Sequence, residues 1–292
     1  MDFDAILHAI FNFENYGELL ALVQNSLWAG AVLGLLGGLV GTFVMKRDLA
    51  FAVHGISELS FAGAAFALLI GADVVAGSLA GSVVAALILG VMGVRARDKN
   101  STIGVLMPFG LGLGILFLSL YEGRAANKFG LLTGQIVSVG TVQLQVLAGA
   151  AVVVMLALLA IWRPLTFASV DPKVAAARGV PVRGLALGFM VVLGVSVALS
   201  IQIVGALLVL ALLITPAAAA LRVTSSPRLV VLLSVVFAVS ATVGGILLAL
   251  GGRLPISPYV TTLSFLIYVV CRIIGGVRAR RGLNGRTSPV AA

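Results

Sequence analysis

Two residues in this chain have the types and the spacing to bind a metal, His54 and Glu58. Four positions apart, they project from one face of a helix, with Ser57 beside them. An imidazole and a carboxylate so placed can give two ligands to zinc, manganese or iron, and Ser57 is a further candidate. The same pair can instead satisfy itself through a His–Glu hydrogen bond in a packed interior, and the spacing alone admits both readings. Two ligands make half a site, so a second copy of the chain or another segment has to complete it. Glu58 is the only acid inside the apolar runs, and the other histidine, His8, lies in the N-terminal segment. Asp73, Asp98, Glu122 and Asp171 read as solvated or helix-capping acids.

The element that positions the pair is the run FAVHGISELSFAGAAFALLIG, from Phe51 to Gly71, and its surroundings make it a membrane span. Of the 292 residues, 61% are hydrophobic and 10% charged, with a mean hydropathy of +1.19. A soluble domain carries about 25% charged residues, so this chain cannot coat a water-facing surface. A carboxylate at mid-membrane costs about 2.5–3.5 kcal/mol on insertion scales, and it therefore faces an aqueous cavity or a partner. The fold class is all-α, a polytopic transmembrane bundle.

A hydrocarbon core of about 30 Å takes about 20 apolar residues in helix. That ruler places nine spans near 22–45, 50–70, 72–94, 102–121, 140–162, 184–203, 205–221, 229–252 and 258–277, with eight or ten spans as the alternatives. The sixth and seventh are joined tightly through Gln202 to Gly205. Sixteen of the 19 Lys and Arg residues fall in one set of alternate loops and in the tail. Only Arg124, Lys128 and Arg253 fall in the other. The bias puts the C-terminus in the cytoplasm and the N-terminus outside. Residues 1–21 are then an extracytoplasmic segment, 22–277 the transmembrane domain and 278–292 a basic, disordered tail. The acidic N-terminus lacks the positive start of a signal peptide, so no cleavage is expected. The net charge of +9 sits in short inter-span clusters with no basic face, which excludes nucleic acid as a partner. The single Cys271 excludes an intrachain disulfide.

Two inter-span segments are long enough to do work. Tyr121–Val139 lies outside and folds against the membrane surface. Arg163–Arg183 is cytoplasmic, and in it Asp171 can N-cap a short helix, Pro172 can occupy its first position and Gly179 can end it. Such a helix is either a surface on which a motor protein pushes or a capped connector. In the first span Gly30, Gly34, Gly37, Gly38 and Gly41 form overlapping GxxxG pairs, which let helix backbones approach closely. Thr215–Pro216 can open the seventh span or simply bend it. No GxxxxGK[ST] phosphate loop, HExxH or GxSxG occurs, so the chain is not expected to be an enzyme, and any ATP must be hydrolysed elsewhere.

From Leu22 to about Arg272 the chain resembles the permease subunits of zinc and manganese ABC importers, the ABC-3 family. Phe43–Ala67 is similar to the family's basic turn and D-A-x-S-H-x-x-x-P-G helix. Phe167–Val182 resembles its D-P-x-x-A-x-x-x-G segment, and Val204–Ala220 its G-x-L-L-x-x-A-L-L-x-x-P-A-A-x-A helix. NSTIG (100–104) and LLTGQI (131–136) fall where related segments would be. One departure lies at the metal face: the family has Asp and then His four residues on, and this chain has His54 and then Glu58. Ser57 is retained, and the family's Pro is Ala62. The resemblance implies a metal site at His54 and Glu58 and a homodimer with its path near the subunit interface. It also implies a cytoplasmic ABC ATPase docking on Asp171, Pro172, Ala175 and Gly179, and an extracytoplasmic metal-binding protein on the outer loops. The expected function is ATP-driven import across a bacterial-type cell membrane, with no cofactor of its own and with Zn2+ first and Mn2+ second as cargo. The alternatives are a permease for a siderophore or haem chelate, or a metal channel or exchanger needing no ATPase.

Overall fold

The computed structural model describes residues 16–92, 99–123, 139–251 and 255–284. The described residues form helices and no strands: α1 (Tyr16–Leu22), α2 (Gln24–Lys46), α3 (Ala50–Leu69), α4 (Val74–Met92), α5 (Lys99–Leu120), α6 (Thr141–Val170), α7 (Pro172–Ala177), α8 (Val182–Val204), α9 (Ala206–Leu213), α10 (Thr215–Val223), α11 (Pro227–Ala249) and α12 (Ile256–Asn284). Eight of them are long and apolar enough to cross a membrane. Large apolar side chains such as Val105, Phe109, Val153 and Phe265 face outward, as they do where lipid replaces water.

The expected seventh span is not one helix. Gly205, at φ 80° and ψ 161°, separates α8 from α9, and Ile214 separates α9 from α10. Pro216 has no N–H to return to the carbonyl four residues back, so the ladder opens there. Eight spans and a broken ninth segment therefore replace nine uninterrupted ones.

Two further boundaries move. α6 runs through Pro164 to Val170 rather than stopping at Trp162. Its 30 residues make it about 45 Å long, which carries its end well past a 30 Å hydrocarbon core. α12 continues to Asn284, past Arg278, because a helix already nucleated extends through the Arg and Ala of VRARRGLN, and the weak helix former Gly282 comes only at its last turn. Leu131–Ile136 and Arg124, Lys128 and Arg253 lie outside the described residues, as do His8 and residues 285–292.

Two groups of helices are visible. α2 packs along α11, with α9, α10 and α12 on that side; α3 lies between α4 and α5, with α8 behind it. α6 contacts both α2 and α8. Phe43 of α2 joins the groups, edge-on to Trp162 of α6 at 4.8 Å and tilted against Phe189 of α8 at 5.9 Å.

The α2–α11 seam shows why the first span is rich in glycine. A methyl group at Gly38 would lie 2.5 Å from Val235 Cα, and one at Gly34 would lie 2.8 Å from Val239 Cα. Hydroxyls close the same seam. Ser234 Oγ donates to the Gly38 carbonyl and Thr242 Oγ1 to the Gly30 carbonyl, each at 2.9 Å. Close approach plus interhelical hydrogen bonds is how helices associate where lipid removes the hydrophobic drive between them. The glycine pairs thus pack helices within the chain. Gly37 and Gly41 give room to the backbone of α9 at Leu212 and Leu213, next to the break at Ile214.

Candidate metal-binding face

α3 begins just after a tight basic turn in which Asp48 adopts φ 54°, a left-handed conformation that Asp tolerates better than most residues. From there small residues dominate, and Ala52, Ile56, Ser60, Ala64 and Ala67 are buried. His54 and Glu58 are the exceptions. Their side chains are 34% and 14% exposed, and His54 Nε2 lies 3.7 Å from Glu58 Oε1. That separation is too long for a hydrogen bond. It does allow both donors to reach one metal ion at about 2.0–2.2 Å. Of the two readings open in the sequence, a directly hydrogen-bonded pair is therefore not what the side chains form.

His54 Nδ1 is buried and has no hydrogen-bond partner among the described residues. Metal-binding imidazoles usually donate this second nitrogen to an outer acceptor, which raises their affinity. Lacking one, His54 would hold an ion weakly. Ser57 is only 1% exposed and sits about 100° around the helix from Glu58. It belongs to the packed side of α3, not to the half-open face.

The packing that fixes Glu58 comes from α5 and α4. A methyl group at Gly110 would lie 3.0 Å from the Glu58 carbonyl carbon and 3.0 Å from the Leu59 nitrogen, so α5 rests on the α3 backbone at the acid itself. On the α4 side, Gly63 and Gly77 face each other's backbone. Ser60 Oγ bonds the Ser78 carbonyl at 2.9 Å and the Ser78 hydroxyl at 2.8 Å. Sequence reasoning missed Gly110 and this serine pair. The signal was present in the GLGLG run at 110–114, in which Gly110 meets the α3 backbone and Gly114 the Phe61 ring.

Among the described residues no three His, Cys, Asp or Glu side chains come together. Asp73 caps α4, its carboxylate oxygens accepting from Val75 N and Ala76 N at 3.2 Å. Glu122 is exposed and Asp98 lies outside the described residues. Among the described residues, His54 and Glu58 are thus the two such side chains that this face brings together.

The short helix of the Arg163–Arg183 segment forms as its capping residues dictate. Asp171 Oδ1 accepts from Lys173 N and Val174 N, both at 3.0 Å, and Pro172 opens α7. Ala175 is fully buried and anchors it. Gly179 turns the chain at φ 81°. The end of α6, just before α7, is tied to the turn that leads into α3 by one side chain. Arg47, in the turn before α3, donates to Ser169 Oγ at 3.2 Å, and Ser169 Oγ donates to the Leu165 carbonyl at 2.6 Å. Burial lowers the Arg47 guanidinium below its ordinary pKa, and its charge also lies 5.9 Å over the Phe189 ring. Between this turn, α7 and the start of α8 lies a cleft of about 590 Å³.

Comparison with known proteins gives a consistent result. The family described as ABC 3 transport family matches residues 20–275. The manganese transport system membrane protein MntC of Halalkalibacterium halodurans is 31% identical over 225 residues, 77% of this chain and 77% of the relative. The high-affinity zinc uptake system membrane protein ZnuB of Haemophilus influenzae is 24% identical over 250 residues, 84% of this chain and 94% of the relative. Among solved structures, PsaBC from Streptococcus pneumoniae in complex with Fab aligns with a TM-score of 0.79 at 24% identity. The alignment covers 89% of this chain and 95% of that chain, and it bears on the fold alone.

Proposed function

This chain belongs to the ABC 3 transport family, and on that footing we propose that it is the membrane permease of an ATP-driven importer for a divalent transition metal, manganese or zinc. The observation that carries the reading is the partly exposed His54–Glu58 pair, 3.7 Å apart on a spanning helix. An ionisable pair kept partly open at membrane depth points to function by default. A siderophore or haem path would need a wide neutral lining, which these side chains do not make.

Cargo would be held by His54 and Glu58, with waters filling the remaining positions. A second copy across a two-fold axis would bring a second imidazole and carboxylate to the same ion. Weak holding is an asset here, because an ion bound too tightly does not leave. A single imidazole with no outer partner meets that need. Support for manganese ahead of zinc, the reverse of the order from imidazole chemistry alone, comes from two sources. The relative at 31% identity carries manganese in its name and the one at 24% carries zinc. A carboxylate with water also suits the harder ion.

The ATPase would dock on α7 through the exposed Asp171, Pro172 and Gly179, with Ala175 buried beneath them to hold the helix in place, on the side that the Lys and Arg bias assigns to the cytoplasm. Movement of α7 would pass through Ser169 to Arg47 and so to the first turn of α3, two turns below Glu58. An extracytoplasmic binding protein would deliver the ion to the opposite side. Residues 1–21, 22–277 and 278–292 are then the outer segment, the permease domain and the cytoplasmic tail.

The test is uptake into proteoliposomes holding this chain with its ATPase and binding protein. Wild type should import one metal only with ATP, and His54→Ala and Glu58→Gln should each lower uptake about tenfold or more in an intact assembly. Normal uptake by both variants would make the pair structural. Uptake that persists without ATP would make the protein a channel or exchanger.

A further inference from the structure

We propose that the cleft beside α7 binds the phosphate headgroup of an anionic phospholipid from the cytoplasmic leaflet. The inference rests on the shape and charge of the cleft, not on the cargo. Its volume is about 590 Å³, and among the described residues its lining carries three cations, Lys46, Arg47 and Arg183, against one carboxylate, Asp48. These sit at its mouth: Arg183 and Asp48 are exposed, and Lys46 and Arg47 half-buried. Its floor is apolar, with Ile103 only 2% exposed and Met190 5%. A basic rim over an apolar floor matches a molecule with a charged head and a hydrocarbon body. A free hydrated anion has no use for the floor.

The position supports the same ligand. Lys46 is the last residue of the spanning helix α2, and Arg183 is the second residue of α8. Both therefore stand at a membrane surface, where basic pockets between spanning helices take anionic lipid heads. Lys46 holds its ammonium 5.7 Å over the Phe43 ring, which leaves its hydrogens free to reach a phosphate. Arg47 is already engaged with Ser169 and adds charge more than contact. Lipid in this cleft would lie between α7 and the turn that leads into α3.

Binding of phosphatidylglycerol, phosphatidylcholine and inorganic phosphate to the full chain in detergent, read by native mass spectrometry and by thermal-shift titration, tests the site. Phosphatidylglycerol should bind more tightly than phosphatidylcholine, and inorganic phosphate at the same concentration should not displace it. Each cation near an anionic surface contributes a factor of about five. Lys46→Gln with Arg183→Gln should therefore weaken phosphatidylglycerol about 25-fold, with the lipid-free melting temperature kept, while Arg228→Gln outside the cleft changes nothing. Equal affinity for phosphatidylcholine, or an unchanged double variant, would overturn the site. Displacement by inorganic phosphate would make it a free-anion site. Loss of lipid on assembly with the ATPase, with both cations then needed to retain that subunit, would make it a protein contact instead.

Discussion

The seam between α2 and α11 and the face of α3 that carries His54 and Glu58 use the same small residues to opposite ends. Along α2, glycines let Val235 and Val239 approach to backbone contact, and Ser234 and Thr242 return their hydroxyls to carbonyls across the seam. Among the described residues no buried polar side chain at that seam is left without a partner. On α3, Gly63 and Ser60 close one side of the helix in the same manner, yet the side with His54 and Glu58 stays half-open and His54 Nδ1 has no partner. The closed seam is where the chain stores stability. The open face is where it has kept polar groups that packing alone would not retain.

The contrast can be broken most severely at Gly38. A leucine there meets the backbone of Val235, which has no side chain to yield, so Gly38→Leu should give no folded protein by size-exclusion chromatography. Ordinary overpacking, by comparison, costs about 1–3 kcal/mol. At the open face the effect should fall on transport and not on folding. His54→Ala and Glu58→Gln should lose uptake about tenfold or more while melting as wild type. The double exchange His54→Glu with Glu58→His, which restores the family's carboxylate-first order, should recover much of it. An exchange no better than the single variants would mean that the order of the ligands, not only their presence, is fixed by the rest of the path.

The bundle and the short capped helix α7 were legible in the sequence, since hydropathy and the Asp171–Pro172–Gly179 spacing each act locally. The broken seventh segment was legible only as a doubt at Gln202–Gly205, because an apolar run reads the same whether or not its helix is continuous. That His54 and Glu58 lie side by side was legible from their spacing, whereas the burial of Ser57 on the packed side of α3 was not. Which side of α3 is open depends on where α4 and α5 lie, and no spacing within α3 records that. Gly110 went unread for the same reason: its partner is the backbone of another helix.

Two milder changes sharpen the comparison. Gly110→Ala presses on the Glu58 carbonyl and the Leu59 nitrogen. It should lower uptake several-fold with only a small drop in melting temperature, less than either ligand variant; an equal drop in uptake and stability would make Gly110 a packing residue only. Thr242→Val removes one interhelical hydrogen bond and should cost about 0.6 kcal/mol, the average for such bonds in a membrane bundle. The loss should show as a slightly lower melting temperature with normal uptake per folded molecule. Loss of uptake there would mean that the α2–α11 seam moves during transport.

Gly205 has a consequence for inheritance. Its φ of 80° and ψ of 161° lie in a region essentially reserved for glycine, and they turn the chain from α8 into the broken segment. A change at the first or second base of a glycine codon encodes only residues that bear a Cβ, or a stop. Each of those residues would have to straighten this joint or strain it. The joint therefore has no neutral neighbours in sequence space, while the surrounding apolar run can exchange Leu, Val and Ile almost freely. Descendants of this gene should drift along α8 and α9 and stand still between them.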